Sequence, residues 1–216
     1  MKLISALVFI CASFLLHAGP DCDEPFFIIQ KQRKVVFGST VNVKIANSTQ
    51  ESANWKLLDG SGNAINQGVG NETGAIVCSI PGIYKVVFAV RHSETHLPHI
   101  DTAIIEVVSQ NLIFQVENAI LNGVPKKSMP INNVTITMPV VVQSFDNSSI
   151  LISTERYMST GIPGLYAFLS SPVELSPGTH QLTFQLLGHS KHSGNAQIGF
   201  FNQLGEGYFY NFIIAE

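Results

Sequence analysis

Hydrophobic and polar positions alternate with a period of two along most of this chain, and the 3.6-residue spacing of an amphipathic helix is scarce. Val41, Val43 and Ile45 alternate with Thr40, Asn42 and Lys44; further on, Tyr84, Val86, Phe88 and Val90 alternate with Lys85, Val87 and Ala89. Both stretches read as half-buried strands. Between them a short apolar strand starts at Trp55 and runs into Asp59-Gly60-Ser61-Gly62, a turn whose glycines supply positive φ. A Gly/Asn-rich loop is expected from Gln67 to Gly74, then a strand from Ala75 to Ile80, and Thr102 to Val108 closes this first run.

A boundary falls near Ser109-Gln110-Asn111, after which the same grammar repeats. Strands are expected at Val134–Met138, Pro139–Gln143, Ile150–Ile152, Leu165–Phe168, His180–Leu186, Ala196–Phe200 and Tyr208–Ile214. Short strands with turn signals about every ten residues are what a sandwich requires. The expected fold is therefore all-β, with two consecutive antiparallel β-sandwich domains at 24–108 and 110–216.

The first residues belong to neither domain. Met1-Lys2, an apolar run from Leu3 to Leu16 and then His17-Ala18-Gly19-Pro20 have the basic tip, short apolar core and small-residue exit of a secretory signal peptide. Cleavage is expected after Ala18, giving a signal peptide at 1–18. An apolar run of this length is too short for the roughly 20 residues that span a bilayer, and no later stretch approaches that length. A secreted or extracytoplasmic location follows, in the periplasm or at the cell surface if the source is bacterial, with no transmembrane segment.

Composition narrows the partners. Twelve Lys and Arg stand against fifteen Asp and Glu, a formal net charge of −3, and charged residues make up only 12% of the 216. There is no basic stretch longer than Lys31-Gln32-Arg33-Lys34, so no nucleic-acid partner is expected. Export leaves Cys22 and Cys78, an even pair that in an oxidising compartment is expected to form a disulfide; a free, buried Cys78 is the competing reading. Four sequons, at Asn47, Asn71, Asn133 and Asn147, are expected glycan sites if the source is eukaryotic.

At Pro81-Gly82-Ile83-Tyr84-Lys85-Val86, with Trp55 on an earlier strand, the first half resembles immunoglobulin-like domains, the PKD type in particular, over about residues 25–108. The resemblance implies a two-layer sandwich in a secreted or surface protein. Val86 stands where immunoglobulin domains proper carry a Cys, so their inter-sheet disulfide is not implied here. Independently of the family, Tyr84 is expected to bury its ring while its hydroxyl bonds upstream backbone, and Trp55 to fill the core. The second half resembles β-sandwich and jelly-roll modules only in its Pro177-Gly178-Thr179-His180 turn.

Catalytic signatures are missing: no phosphate-cradling loop opens a helix, there is no Cys-x-x-Cys pair, and Asp59-Gly60-Ser61-Gly62 lacks the strand-to-helix elbow of a hydrolase nucleophile. No enzyme activity and no cofactor are expected. Recognition of an extracellular protein or glycan is expected instead, through loops or through an aromatic strip on the last strand, where Tyr208, Tyr210 and Phe212 share one face and Phe209 takes the other. Phe200 and Phe201 crowd the strand before. An alternative is an extracytoplasmic metal-binding protein using the loop that carries His92, His96, His99 and Asp101, residue types that take Zn²⁺ or Cu²⁺. His189 and His192 flank a second hairpin tip, and Asp21, Asp23 and Glu24 bunch three carboxylates near the N-terminus.

Overall fold

The computed structural model describes residues 26–47, 53–91, 98–154, 156–160 and 162–216. The signal peptide, Cys22, His92, His96 and the three carboxylates near the N-terminus lie outside the described residues. Among the described residues all regular structure is extended apart from one 3₁₀ turn at Val116–Asn118.

The first half contains β1 (Phe26–Ile28), β2 (Gln32–Val36), β3 (Ser39–Val41), β4 (Ile45–Asn47), β5 (Asn54–Leu58), β6 (Ala64–Val69), β7 (Ile76–Cys78), β8 (Gly82–Arg91) and β9 (Pro98–Val108). One layer is a five-stranded sheet ordered β2-β9-β8-β5-β6; the other is made by the pairs β1-β4 and β3-β7. Every described pairing is antiparallel except β2 with β9, where the chain enters the sheet beside its own last strand. The inward positions named by the alternation, Val41, Val43, Ile45, Val86, Phe88 and Val90, are all buried, and they form one core with Trp55, Leu57 and Ile105. Tyr84 packs on that core, and its hydroxyl donates to the Ile80 carbonyl at 2.9 Å, as the sequence leads one to expect.

The glycine-rich loop expected from Gln67 to Gly74 is irregular from Gly70 on, but Gln67–Val69 belong to β6 and pair with β5, where Gly68 leaves room for the Trp55 indole. A Cβ on Gly68 would stand 2.6 Å from the Trp55 ring.

The second half contains β10 (Gln110–Phe114), β11 (Ile120–Asn122), β12 (Pro130–Ser144), β13 (Ile150–Ile152), β14 (Tyr157–Thr160), β15 (Leu165–Phe168), β16 (Val173–Leu175), β17 (Gly178–His189), β18 (Gly194–Phe201) and β19 (Gly207–Ile214). Its main sheet runs β10-β12-β17-β15-β14-β18-β19, with β11 beside β12; β13 and β16 pair separately. The sheet turns back on itself at β14, whose first two residues pair with β15 and last two with β18. The layers so formed close over Phe114, Tyr157, Phe184 and Phe200.

Two expected strands, Val134–Met138 and Pro139–Gln143, are one long strand, β12. The missing N–H of Pro139 is tolerated because it falls in the gap between β11, which pairs up to Thr137, and β10, which pairs from Val140.

The two cores share no residue. Only Ser109 separates β9 from β10, its carbonyl accepts the Phe145 N–H at 2.8 Å, and the Phe37 and Phe145 rings meet edge to face at 5.6 Å.

Candidate functional site

The aromatic strip expected on the last strand is placed by the alternation of β19 against the core. Phe212 is buried, and Tyr208 and Tyr210 pack against the same cluster, so this trio faces inward rather than forming an open surface. The correction is one of layer. A strand lying over Phe114 and η1 must turn one face in, and the larger set of rings takes it.

Tyr208 also joins a polar clamp. The Asn202 side-chain amide reaches Asn111 Oδ1 at 3.0 Å and Glu206 Oε2 at 2.7 Å, while its Oδ1 accepts the N–H groups of Leu204 and Glu206 at 3.0 Å each. Tyr208 donates to Glu206 Oε2 at 3.2 Å. Burial, and then the Glu206 charge, push the Tyr208 phenol above its ordinary range. These bonds close the β18–β19 hairpin and tie it to Asn111 on β10.

The outward face of β14, β18 and β19 is different. Phe201 and Phe209 are 53% and 43% exposed, with ring centroids 6.0 Å apart in an edge-to-face pair. They lie across two glycines: a Cβ on Gly199 would stand 3.0 Å from the Phe209 ring, and one on Gly207 3.0 Å from both rings. Beside them Thr160 Oγ1 donates to Gln197 Oε1 at 2.8 Å, and Gln197 Nε2 donates to Asn211 Oδ1 at 2.9 Å. No charged residue occupies an outward position on these three strands. Phe201 also rims a cleft of about 270 Å³ shared with Leu151, Ser153, Asn202 and Gln203, whose floor includes Leu112 and Tyr157. Sequence alternation put Phe209 opposite the trio; which face meets water is decided by what the strand packs against.

The other expected site residues are separated. Asp101 is on β9 and works as a clasp. Its Oδ2 accepts the Ile28 N–H at 3.0 Å, its Oδ1 accepts the Thr102 N–H at 2.9 Å, and Lys31 Nζ is 3.0 Å away. Burial alone raises its pKa, but those three donors outweigh it, and the carboxyl is held below the usual range. His99 is half-buried on the same strand, two residues away. Among the described residues no three His, Cys, Asp or Glu side chains cluster with metal-binding geometry. His189 and His192 are exposed.

Because the Asp101 carboxylate is stabilised on folding, its contribution is fully present above about pH 4 and is lost as pH falls through the depressed native value. Asp101→Ala is expected to cost about 1–3 kcal/mol in urea unfolding at pH 7, and the gap to the parent to narrow at pH 3.

Cys78 is a free thiol, buried on β7, and burial pushes its pKa up. Its expected disulfide partner, Cys22, lies outside the described residues. Of the sequon asparagines, Asn71, Asn133 and Asn147 are exposed; Asn47 ends β4.

No family model matches the chain, and no curated protein matches it. Among solved structures, the fibronectin(III)-like modules of Clostridium thermocellum CbhA align with 88% of this chain and 94% of theirs at 8% identity, TM-score 0.38. The teleost fish polymeric Ig receptor ectodomain aligns with 88% of this chain and 98% of its own at 9% identity, TM-score 0.33. A Parabacteroides merdae β-glucuronidase aligns with 87% of this chain at 10% identity, TM-score 0.29, and this chain spans only 24% of that enzyme. At these TM-scores the likenesses carry no argument about fold family, ligand or activity. Among the described residues no helix is long and apolar enough to cross a membrane.

Proposed function

We propose that the chain is a non-catalytic recognition protein working outside the cytoplasm, built of two immunoglobulin-like sandwiches, and that the outward face of β14, β18 and β19 binds a neutral glycan. The observation that carries this reading is the Phe201–Phe209 pair held exposed across Gly199 and Gly207. Rings left in water beside a row of hydroxyl and amide groups suit a sugar, whose apolar C–H face stacks on an aromatic ring while its hydroxyls exchange hydrogen bonds with amides. The lack of charge on the face disfavours phosphate or sulfate polymers. Export through residues 1–18, glycans on the exposed sequons and the PKD-type character of the first sandwich belong to the same reading. The metal-binding alternative has only the His92–His99 loop in its favour, since Asp101 is committed to Ile28, Thr102 and Lys31.

A glycan array probed with the mature chain is expected to give hits among uncharged oligosaccharides. The double substitution of Phe201 and Phe209 by Ala is expected to weaken binding at least tenfold with the fold retained by circular dichroism, since stacked rings contribute on the order of 1 kcal/mol each. Undiminished binding by that variant, or an array with no hits, removes this reading.

A further inference from the structure

Phe201 and Phe209 are close but not coplanar. Their planes meet at 87°, so they cannot serve as one flat platform for two successive sugar rings. They also border different things. Phe209 lies on the open face of β19, whereas Phe201, the last residue of β18, is one wall of the cleft of about 270 Å³. The rest of the cleft's rim includes Leu151, Ser153 and Gln203, all exposed. Its floor is the core itself: Leu112, Ile150, Ile152 and Tyr157 are buried members of the cluster that closes the second sandwich. This volume lies below the roughly 300–1,000 Å³ of sites for drug-sized molecules, which makes it room for one sugar ring with solid core beneath it.

We infer that this site binds the end of a neutral glycan: the terminal sugar sits in the cleft with its apolar face on Phe201, the chain then turns, and the next residues run over Phe209 towards Thr160, Gln197 and Asn211. The inference rests on the glycan reading of the same face and adds which part of the chain is recognised. The turn follows from the perpendicular rings, because a sugar stacks with its C–H face flat on an aromatic one. Polar groups lie along the same path. Gln197 and Asn211 face each other one outward position along from Gly199 and Phe209, a step of about 7 Å in strand geometry, where the hydroxyls of the following sugars pass. At the cleft the hydrogen-bonding groups are the Ser153 hydroxyl and the Gln203 amide. Asn202 fixes the second of these: its Oδ1 accepts the Leu204 N–H, which makes Gln203 the apex of an Asx-turn, and its own amide is tied to Asn111 and Glu206. A flat ribbon of parallel sugar chains offers coplanar rings and few ends, and does not match a perpendicular pair beside a one-ring cleft.

The test is the glycan array read over nested series of uncharged oligosaccharides, in which a residue that is terminal in one member is capped by a further sugar in the next. Hits are expected to group by terminal residue, and capping that residue is expected to lower binding at least about tenfold, since the added ring has no room. Ser153→Trp fills the cleft from an exposed rim position and is expected to bring the free-ended glycan down to the level of the capped one, with the fold retained by circular dichroism. Gln203→Ala adds no bulk and is expected to weaken the free-ended glycan alone, about fivefold, as the loss of one hydrogen bond does. Hits indifferent to capping, or binding unchanged in both variants, overturn the inference. If the double substitution of Phe201 and Phe209 still removes that binding, the face takes a glycan by its middle and the broader reading stands; an array with no hits removes both.

Discussion

Gly188→Ala is expected to abolish folding of the second sandwich. Gly188, next to last in β17, lies opposite Leu165 with φ +130°, a conformation L side chains avoid. A Cβ built there falls 2.0 Å from the Gly164 carbonyl oxygen and 3.0 Å from the Leu165 Cα. Both obstacles are backbone, and they belong to the turn that starts β15, so relief means pulling β15 off β17. Strain at the dihedral costs about 1–2 kcal/mol, and the clash adds the larger part, together more than about 4 kcal/mol against a domain stability of roughly 5–15. Gly178→Ala separates the two effects: its φ is +123° but nothing lies within 4 Å of the added carbon. That variant is expected to fold with a loss near the dihedral cost alone. Circular dichroism and urea titration of both variants check the pair; a Gly188→Ala protein as stable as Gly178→Ala means that this turn is not packed as described.

Local chemistry explains what the sequence makes legible. The Tyr84 corner needs only a hydroxyl four residues downstream of a carbonyl, and it forms with Ile80. Alternation assigned Tyr208, Tyr210 and Phe212 to one face because side-chain period is a property of a single strand. Whether that face is core or surface depends on Phe114 and η1, about ninety residues earlier, and no local pattern carries that. The same distance hides Asp101's role, since its partners Ile28 and Lys31 are some seventy residues upstream. Read locally it sits among histidines and resembles a ligand; in three dimensions it holds β1 to β9. For β6 composition misleads: Asn, Gln and Gly are turn formers taken alone, yet the glycine is there for the Trp55 ring. Exposed Phe201 and Phe209 were visible as letters, and the glycines beneath them are the signal that separates them from buried rings: positions 199 and 207 both leave a ring-sized space.

Phe114→Ala is expected to unfold one half of the molecule and spare the other. The ring is 1% exposed and sits within 5.4–6.4 Å, centroid to centroid, of Tyr157, Phe184, Phe200 and Tyr208. Removing it opens a cavity that four rings cannot close together, since each is anchored on a different strand, and Phe-to-Ala changes in such cores cost about 3–5 kcal/mol. The lost aromatic pairs place this site toward the upper end. Every residue of that cluster comes from 112–214, and the cluster of the first half draws only on 28–107. If the halves are independent domains, as we propose, calorimetry of the variant shows two transitions: one lowered by at least about 10 °C and one at the parent temperature. Among the described residues, the Ser109–Phe145 bond and the Phe37–Phe145 ring contact couple the halves across the boundary, and together they are worth about 2 kcal/mol. That is less than the expected loss, so it does not carry the destabilisation across. A single transition that moves as a whole means instead that the two sandwiches fold as one unit, with Ser109 and the two phenylalanines linking them far more tightly than their contacts allow.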